Sequence, residues 1–314
     1  MRRIAIIGMI GLTICISCCL LSGCSASSTG STSSNNQNSS SSSESATAFH
    51  PVYNSSSYHA DAAIGNGTCA IDVSCTSDGY IGACATESSR LKLQVVHDTE
   101  SYNYDLPNDG TATIYPLNMG NGTYTFRIMQ NTSGNKYIEL FSTSVDVTLS
   151  SETAPYTRPN VFCSYSQSSA CVAEATKLCS DAQSESDAYD RIYAYVRDTI
   201  TYDYSKAGNV AQATGYIPNP DQTLQDKSGI CFDYASLMAA MLRSQGIPCK
   251  IITGYVAPDS IYHAWNMIYI DGVWKSIYIS APSQTWGRAD PTFAASGEGG
   301  YADDDSAYTD RYIY

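Results

Sequence analysis

The sequence predicts an α+β chain, with a small β-sandwich ahead of a C-terminal region of mixed helices and strands. Three observations carry that expectation. From about 53 to 149, short runs alternate apolar and polar residues between turn clusters, the pattern of half-buried strands. From about 171, apolar residues recur at spacings of three and four, the pattern of helices with one buried face. After a helix that ends at Gly246-Ile247-Pro248, strand patterns return.

The chain opens on Met1-Arg2-Arg3 and an apolar run from Ile4 to Leu21, the layout of a secretory signal. The run ends at Leu21-Ser22-Gly23-Cys24, which resembles a bacterial lipobox. That resemblance implies cleavage after residue 23 and lipidation of Cys24. It places the body on the extracellular face of the membrane, held by an N-terminal lipid anchor. A plain membrane-spanning anchor is the alternative, since about 18 apolar residues can cross a bilayer. Residues 24–48 are rich in Ser and Asn, with almost nothing apolar to bury, and read as a disordered tether.

The sandwich is expected over 49–150. Leu91–Val96, Thr123–Ile128 and Ser144–Leu149 alternate; Pro107–Gly110 and Gly120–Gly122 supply turns. Ser150 to Pro159 reads as a linker, and 160–314 as the second domain. Within that domain Cys171–Cys179 reads as a helix. A second helix follows a cap at Ser186-Asp187 and buries Tyr189, Ile192, Tyr193, Val196 and Ile200. A polar loop with Gly215, Pro218 and Pro220 is expected up to about Ser228.

The segment Lys227–Ala235 places Cys231 after a Gly turn at a helix start, with Leu237, Met238, Met241 and Leu242 on the buried face beyond it. First-turn amides have no intrahelical partner, and their partial positive charge favours a thiolate. Strand patterns follow at Lys250–Val256 and Tyr262–Ile270. Of the four His, only His263 lies in the C-terminal half, at a strand start, where it can serve a thiol as base.

Gly229-Ile230-Cys231-Phe232-Asp233-Tyr234-Ala235 and His263-Ala264-Trp265-Asn266 resemble the transglutaminase-like family. The resemblance implies a papain-like core bearing a Cys-His-Asp triad, with the third member in a Trp-x-x-x-Asp-Pro-Thr segment. Trp274 is followed four residues on by Tyr278, which has no carboxylate; Trp286–Thr292 fits in full and implies Asp290. Residues 275–285 then form an insertion. The implied chemistry is attack on a protein or peptide amide through a thioester, resolved by water as in a protease or amidase. Crosslinking transfer to an amine and a non-catalytic adhesion module are the alternatives. Gln222 and Gln225 lie upstream, where papain-like enzymes carry an oxyanion donor, and neither is preferred.

Composition limits the partners. A net charge of −13 with no basic patch disfavours nucleic acid. No cofactor is implied: the mature segment has no CxxC spacing and no EF-hand loop, and Asp303-Asp304-Asp305 reads as a solvated loop. Of the twelve cysteines, eight lie beyond Cys24. Cys69, Cys75 and Cys84 are close enough to pair locally, whereas Cys163, Cys171 and Cys179 read as small core residues. The last seven residues, Tyr308–Tyr314, read as a final strand over the core's edge.

Overall fold

Two four-stranded antiparallel sheets form where the alternating runs stand. The first contains β1 (Ile64–Gly65), β2 (Cys69–Asp72), β3 (Tyr80–Ala85) and, beyond the second sheet's opening strands, β6 (Thr113–Pro116). The second runs in the order β5-β4-β7-β8, from β4 (Leu91–His97), β5 (Glu100–Leu106), β7 (Gly122–Ser133) and β8 (Lys136–Val147). Ile71, Ile81 and Ala83 of one sheet share a core with Leu93, Val95, Phe126 and Ile128 of the other, so the pair is a sandwich. The alternation is strict where it matters. Leu91, Leu93 and Val95 are buried, while Lys92 and Gln94 between them lie on the outer face.

The computed structural model describes residues 49–210, 215–257, 261–275 and 308–314. The predicted signal, Cys24 and the tether therefore lie outside the described residues, as do the 275–285 insertion beyond Lys275 and the Trp286–Thr292 segment with Asp290. Within the described residues no helix is long and apolar enough to cross a membrane.

The C-terminal region carries α1 (Ala170–Leu178), α2 (Glu185–Thr199), the short strand β9 (Thr201–Tyr202), α3 (Tyr204–Val210), α4 (Pro220–Asp226), strand β10 (Ser228–Gly229) and α5 (Cys231–Ser244). A sheet follows in the order β13-β12-β11-β14, from β11 (Cys249–Val256), β12 (Ile261–Ile270), β13 (Val273–Lys275) and β14 (Tyr308–Ile313). α2 is capped by Ser184, whose side chain accepts the Asp187 N–H, two residues before the expected cap. Its predicted stripe of Tyr189, Ile192, Tyr193, Val196 and Ile200 is buried.

Two expectations change. The polar loop before Ser228 contains α4. Asn219 caps it by accepting the Gln222 N–H, and Pro220 takes the first helical position, where its missing N–H costs nothing. Residues 49–57 form no strand: Phe49 and Tyr53 pack on the helical core and the Val52 N–H donates to Gln245 O at 3.3 Å, while the Ser57 N–H returns to the sandwich at the Tyr80 hydroxyl, 3.2 Å away.

α5 is buried from Asp233 through Ser244 and lies at the centre of the helical core. Arg243 is fully buried in it. Its guanidinium donates from Nε to Cys249 O at 2.8 Å, from Nη1 to Arg158 O at 3.1 Å and from Nη2 to Tyr314 O at 2.9 Å. One side chain thus ties α5 to β11, to the segment leaving the sandwich and to the end of β14. Arg243→Met would remove all three donations, leaving the buried Cys249 O without this donor, while Tyr314 O keeps the Ile251 N–H at 2.8 Å. We expect it to cost roughly 3–5 kcal/mol, read as a loss of that size in urea unfolding.

Among the described residues, sandwich and C-terminal region belong to one compact unit. Aromatic side chains fill the junction: Phe162 lies 4.3 Å from Tyr314 and 5.4 Å from Phe232, ring centre to ring centre, and Tyr102 and Tyr104 approach Tyr314 from the sandwich.

Candidate active site

The turn that holds Cys231 is fixed from both sides. β9 and β10 pair in parallel, with Thr201 opposite Ser228 and Tyr202 opposite Gly229. The Asp203 N–H then donates to Gly229 O at 3.0 Å, so the chain enters α5 from a pinned strand. Cys231 is the first helical residue and Asp233 the third. The Asp233 carboxylate reaches back to accept the Ile230 N–H at 2.9 Å, which satisfies one of the amides a helix start exposes. Gly229 is required by this arrangement, because a Cβ there would lie 2.6 Å from the Cβ of Asp233.

Asp233 is fully buried and has two further partners. Lys206 Nζ of α3 lies 2.7 Å from it, and the Tyr216 hydroxyl donates to it. Burial, and then the bond to Asp233, push the Tyr216 phenol up to about 12, so it stays a donor at every physiological pH. Burial alone would lower the Lys206 ammonium, but its bonds to Asp233 and Tyr216 outweigh that and raise it. Sequence reasoning missed Lys206 and Tyr216. The Asp at the third helical position was visible, but nothing local marks the two distant side chains that meet it.

Cys231 opens on a cavity of about 630 Å³. Phe232, Tyr216, Tyr262, His263 and Tyr314 share its wall, and Lys92, Asn103 and Asp105 close it from the sandwich. Cys231 and His263 are thus brought to one hollow. Among the described residues no hydrogen bond joins them. Ala264 and Asn266 turn toward α5, and Asn266 Nδ2 donates to Ala235 O at 3.0 Å. His263 shares the alternate positions with Trp265, opposite Gly254 of β11. A Cβ on Gly254 would strike Thr309 O of β14 and meet Trp265 Cη2 at 2.9 Å, so the glycine admits both the close approach of β14 and the indole beside His263. His263 is 5% exposed. Asp290 lies outside the described residues, and Gln222 and Gln225 do not line the cavity.

All eight cysteines beyond the tether are free thiols, so the local pairing considered for Cys69, Cys75 and Cys84 is absent. Cys163, Cys171 and Cys179 are buried core residues. Burial pushes the thiols of Cys163 and Cys179 up to about 11 and that of Cys249 to about 12. Cys75 lies 3.7 Å from His59 Nδ1, but Asp72 takes the same nitrogen at 3.1 Å, so base and orienting carboxylate compete for one atom. Cys231 is half-buried at a helix start on the cavity wall, the setting a nucleophile needs. No group of three metal-ligating side chains comes together among the described residues.

Residues 172–291 match the model of the transglutaminase-like superfamily. The chain carries a transglutaminase-like domain. Proteins of this superfamily are generally enzymes, acting as acyltransferases or proteases. The protein-glutamine gamma-glutamyltransferase of Pseudomonas aeruginosa is 31% identical over 88 residues, covering 27% of this chain and 13% of that relative. The chain therefore spans only a small part of that protein's length. Among solved structures, a candidate cysteine protease from Cytophaga hutchinsonii is similar over 75% of this chain and 86% of its own, at 15% identity and a TM-score of 0.34. Red sea bream transglutaminase is similar over 68% and 50%, at 11% identity and a TM-score of 0.26. The match to the superfamily runs from within α1 past β13, and so includes the helix that begins at Cys231 and the strand that carries His263.

Proposed function

We propose that the protein is an exported, lipid-anchored thiol enzyme that cleaves protein or peptide amides through a thioester. The observation that carries this is Cys231, first residue of a buried helix, opening on the cavity that His263 also lines. In the reaction the Cys231 thiolate attacks the amide carbon, and the C–N bond breaks as His263 passes its proton to the departing amine. Water then attacks the thioester, giving up a proton to His263 and releasing the acid. The amide of Cys231 faces the developing oxyanion. Asp290 holds the imidazole in the required tautomer. Cys24 carries the lipid that keeps the body at the cell surface.

A second reading follows from the fact that one fold hosts more than one function. It treats the transglutaminase-like domain as a binding module without turnover. Transfer to an amine rather than water is the third outcome, and the name of the Pseudomonas relative supports it.

Iodoacetamide labelling of the full chain at pH 6 and 8, read residue by residue by mass spectrometry, separates these readings. The enzyme reading expects Cys231 to react at pH 6 far faster than any other thiol, and His263→Ala to abolish that advantage. Equal reactivity of Cys231 and the other exposed thiols would sink it in favour of the binding module.

A further inference from the structure

The cavity does not stop at the domain junction. A second hollow, of about 410 Å³, lies on the outer face of the sandwich sheet, and Lys92, Asn103 and Gly215 stand in the walls of both. Its floor is the solvent face of three neighbouring strands. Asp105 of β5, Lys92 of β4 and Met129 of β7 form one cross-strand row, and Asn103 and Gln94 begin the next. Gln94 Nε2 donates to Asn103 Oδ1 at 3.2 Å, which steadies that second row.

The charge of this floor opposes that of the chain. Arg90 grips Asp105 through Nε at 2.9 Å and Nη2 at 3.1 Å, and Lys92 Nζ lies 2.9 Å from the same carboxylate. Two cations thus share one anion. No other carboxylate lines either hollow among the described residues, whereas the whole chain carries −13. An anionic chain is repelled by most of the surface and attracted here, beside the nucleophile.

We propose that this sheet face is the acyl-donor subsite of the enzyme, and that it binds an acidic peptide whose carboxylate meets Lys92 and Arg90 while its scissile amide lies at Cys231. The proposal rests on the thiol-enzyme reading and names its substrate class. A carboxylate there completes the charge balance that Asp105 leaves unfinished. An extended peptide suits the geometry, because the two hollows meet at Lys92, Asn103 and Gly215, one reaching Cys231 and the other Arg90.

The test uses paired chloroacetyl peptides that alkylate Cys231, ending in Glu or in the isosteric Gln, over a ladder of alanine spacers. In the full chain at low salt the Glu probe should label Cys231 about fivefold faster than its Gln twin at the spacer that reaches Lys92. Lys92→Met and Arg90→Gln should each bring the ratio toward one. Asp105→Asn should raise it, and added salt should suppress it. Thermal melts of each variant confirm that the fold is intact. Equal rates for both probes at every spacer, or a preference that survives Lys92→Met, would overturn the proposal. Iodoacetamide selectivity in the wild-type chain tests the underlying reading separately. If that selectivity is missing while the Glu preference holds, the groove stands and the enzyme falls.

Discussion

Cys231→Ala is expected to abolish both peptide release and amine incorporation, by roughly 10⁴-fold or more in turnover. Removing the nucleophile removes the thioester, and the cavity's remaining groups can only bind. No other thiol can stand in. The buried thiols of Cys163, Cys179 and Cys249, raised to about 11 or 12, are protonated at neutral pH and are sealed in the core. Cys75 is the one with a histidine nearby, and it lies in the sandwich away from the cavity wall. Release of peptides from dimethylated casein measures hydrolysis, and dansylcadaverine incorporation measures transfer. Cys231→Ser should fall nearly as far, because a hydroxyl at a helix start gains too little from the first-turn amides to ionise. Activity that survived Cys231→Ala would transfer the chemistry to another residue and end the thioester mechanism.

Much of this arrangement was legible in the chain. Strict alternation marked β4, and the three-four spacing marked α2, because each buries a single face against a core. The helix start at Cys231 and the strand that carries His263 were legible because helix start and strand start are local events, signalled by Gly229 and by a lone His beside Trp265. α4 was missed because Pro218 and Pro220 read as loop punctuation, although Pro220 at a first helical position is itself a start signal. The cavity's second wall was not legible. Lys92 and Asp105 look like ordinary outer-face residues of a strand pair, and only tertiary packing brings them to Cys231. The same limit hid Lys206 and Tyr216, whose partner lies some 17 to 27 residues away along the chain.

That hidden cluster carries the second large effect. Asp233→Ala removes the acceptor of three donors at once: the Ile230 N–H, the Tyr216 hydroxyl and the Lys206 ammonium. Lys206 is about one-third exposed and can turn to water, which discounts its share, but the Ile230 amide is buried and cannot. The expected loss is roughly 2–4 kcal/mol, read as a fall of about 5–12 °C in Tm for a unit of this size. Asp233→Asn should lose less than Asp233→Ala, because its carbonyl can still accept the Ile230 N–H while its charge on Lys206 is gone. A further consequence separates a cap from a generic core contact. The Asp233 carboxylate holds the turn on which the Cys231 amide and thiol are aimed, so Asp233→Asn should slow iodoacetamide labelling of Cys231 at temperatures well below its Tm. Arg243→Met, which destabilises the same helix from its far end, should leave that rate unchanged. If both variants slowed labelling equally, or neither did, Asp233 would be a structural residue with no part in aiming the nucleophile.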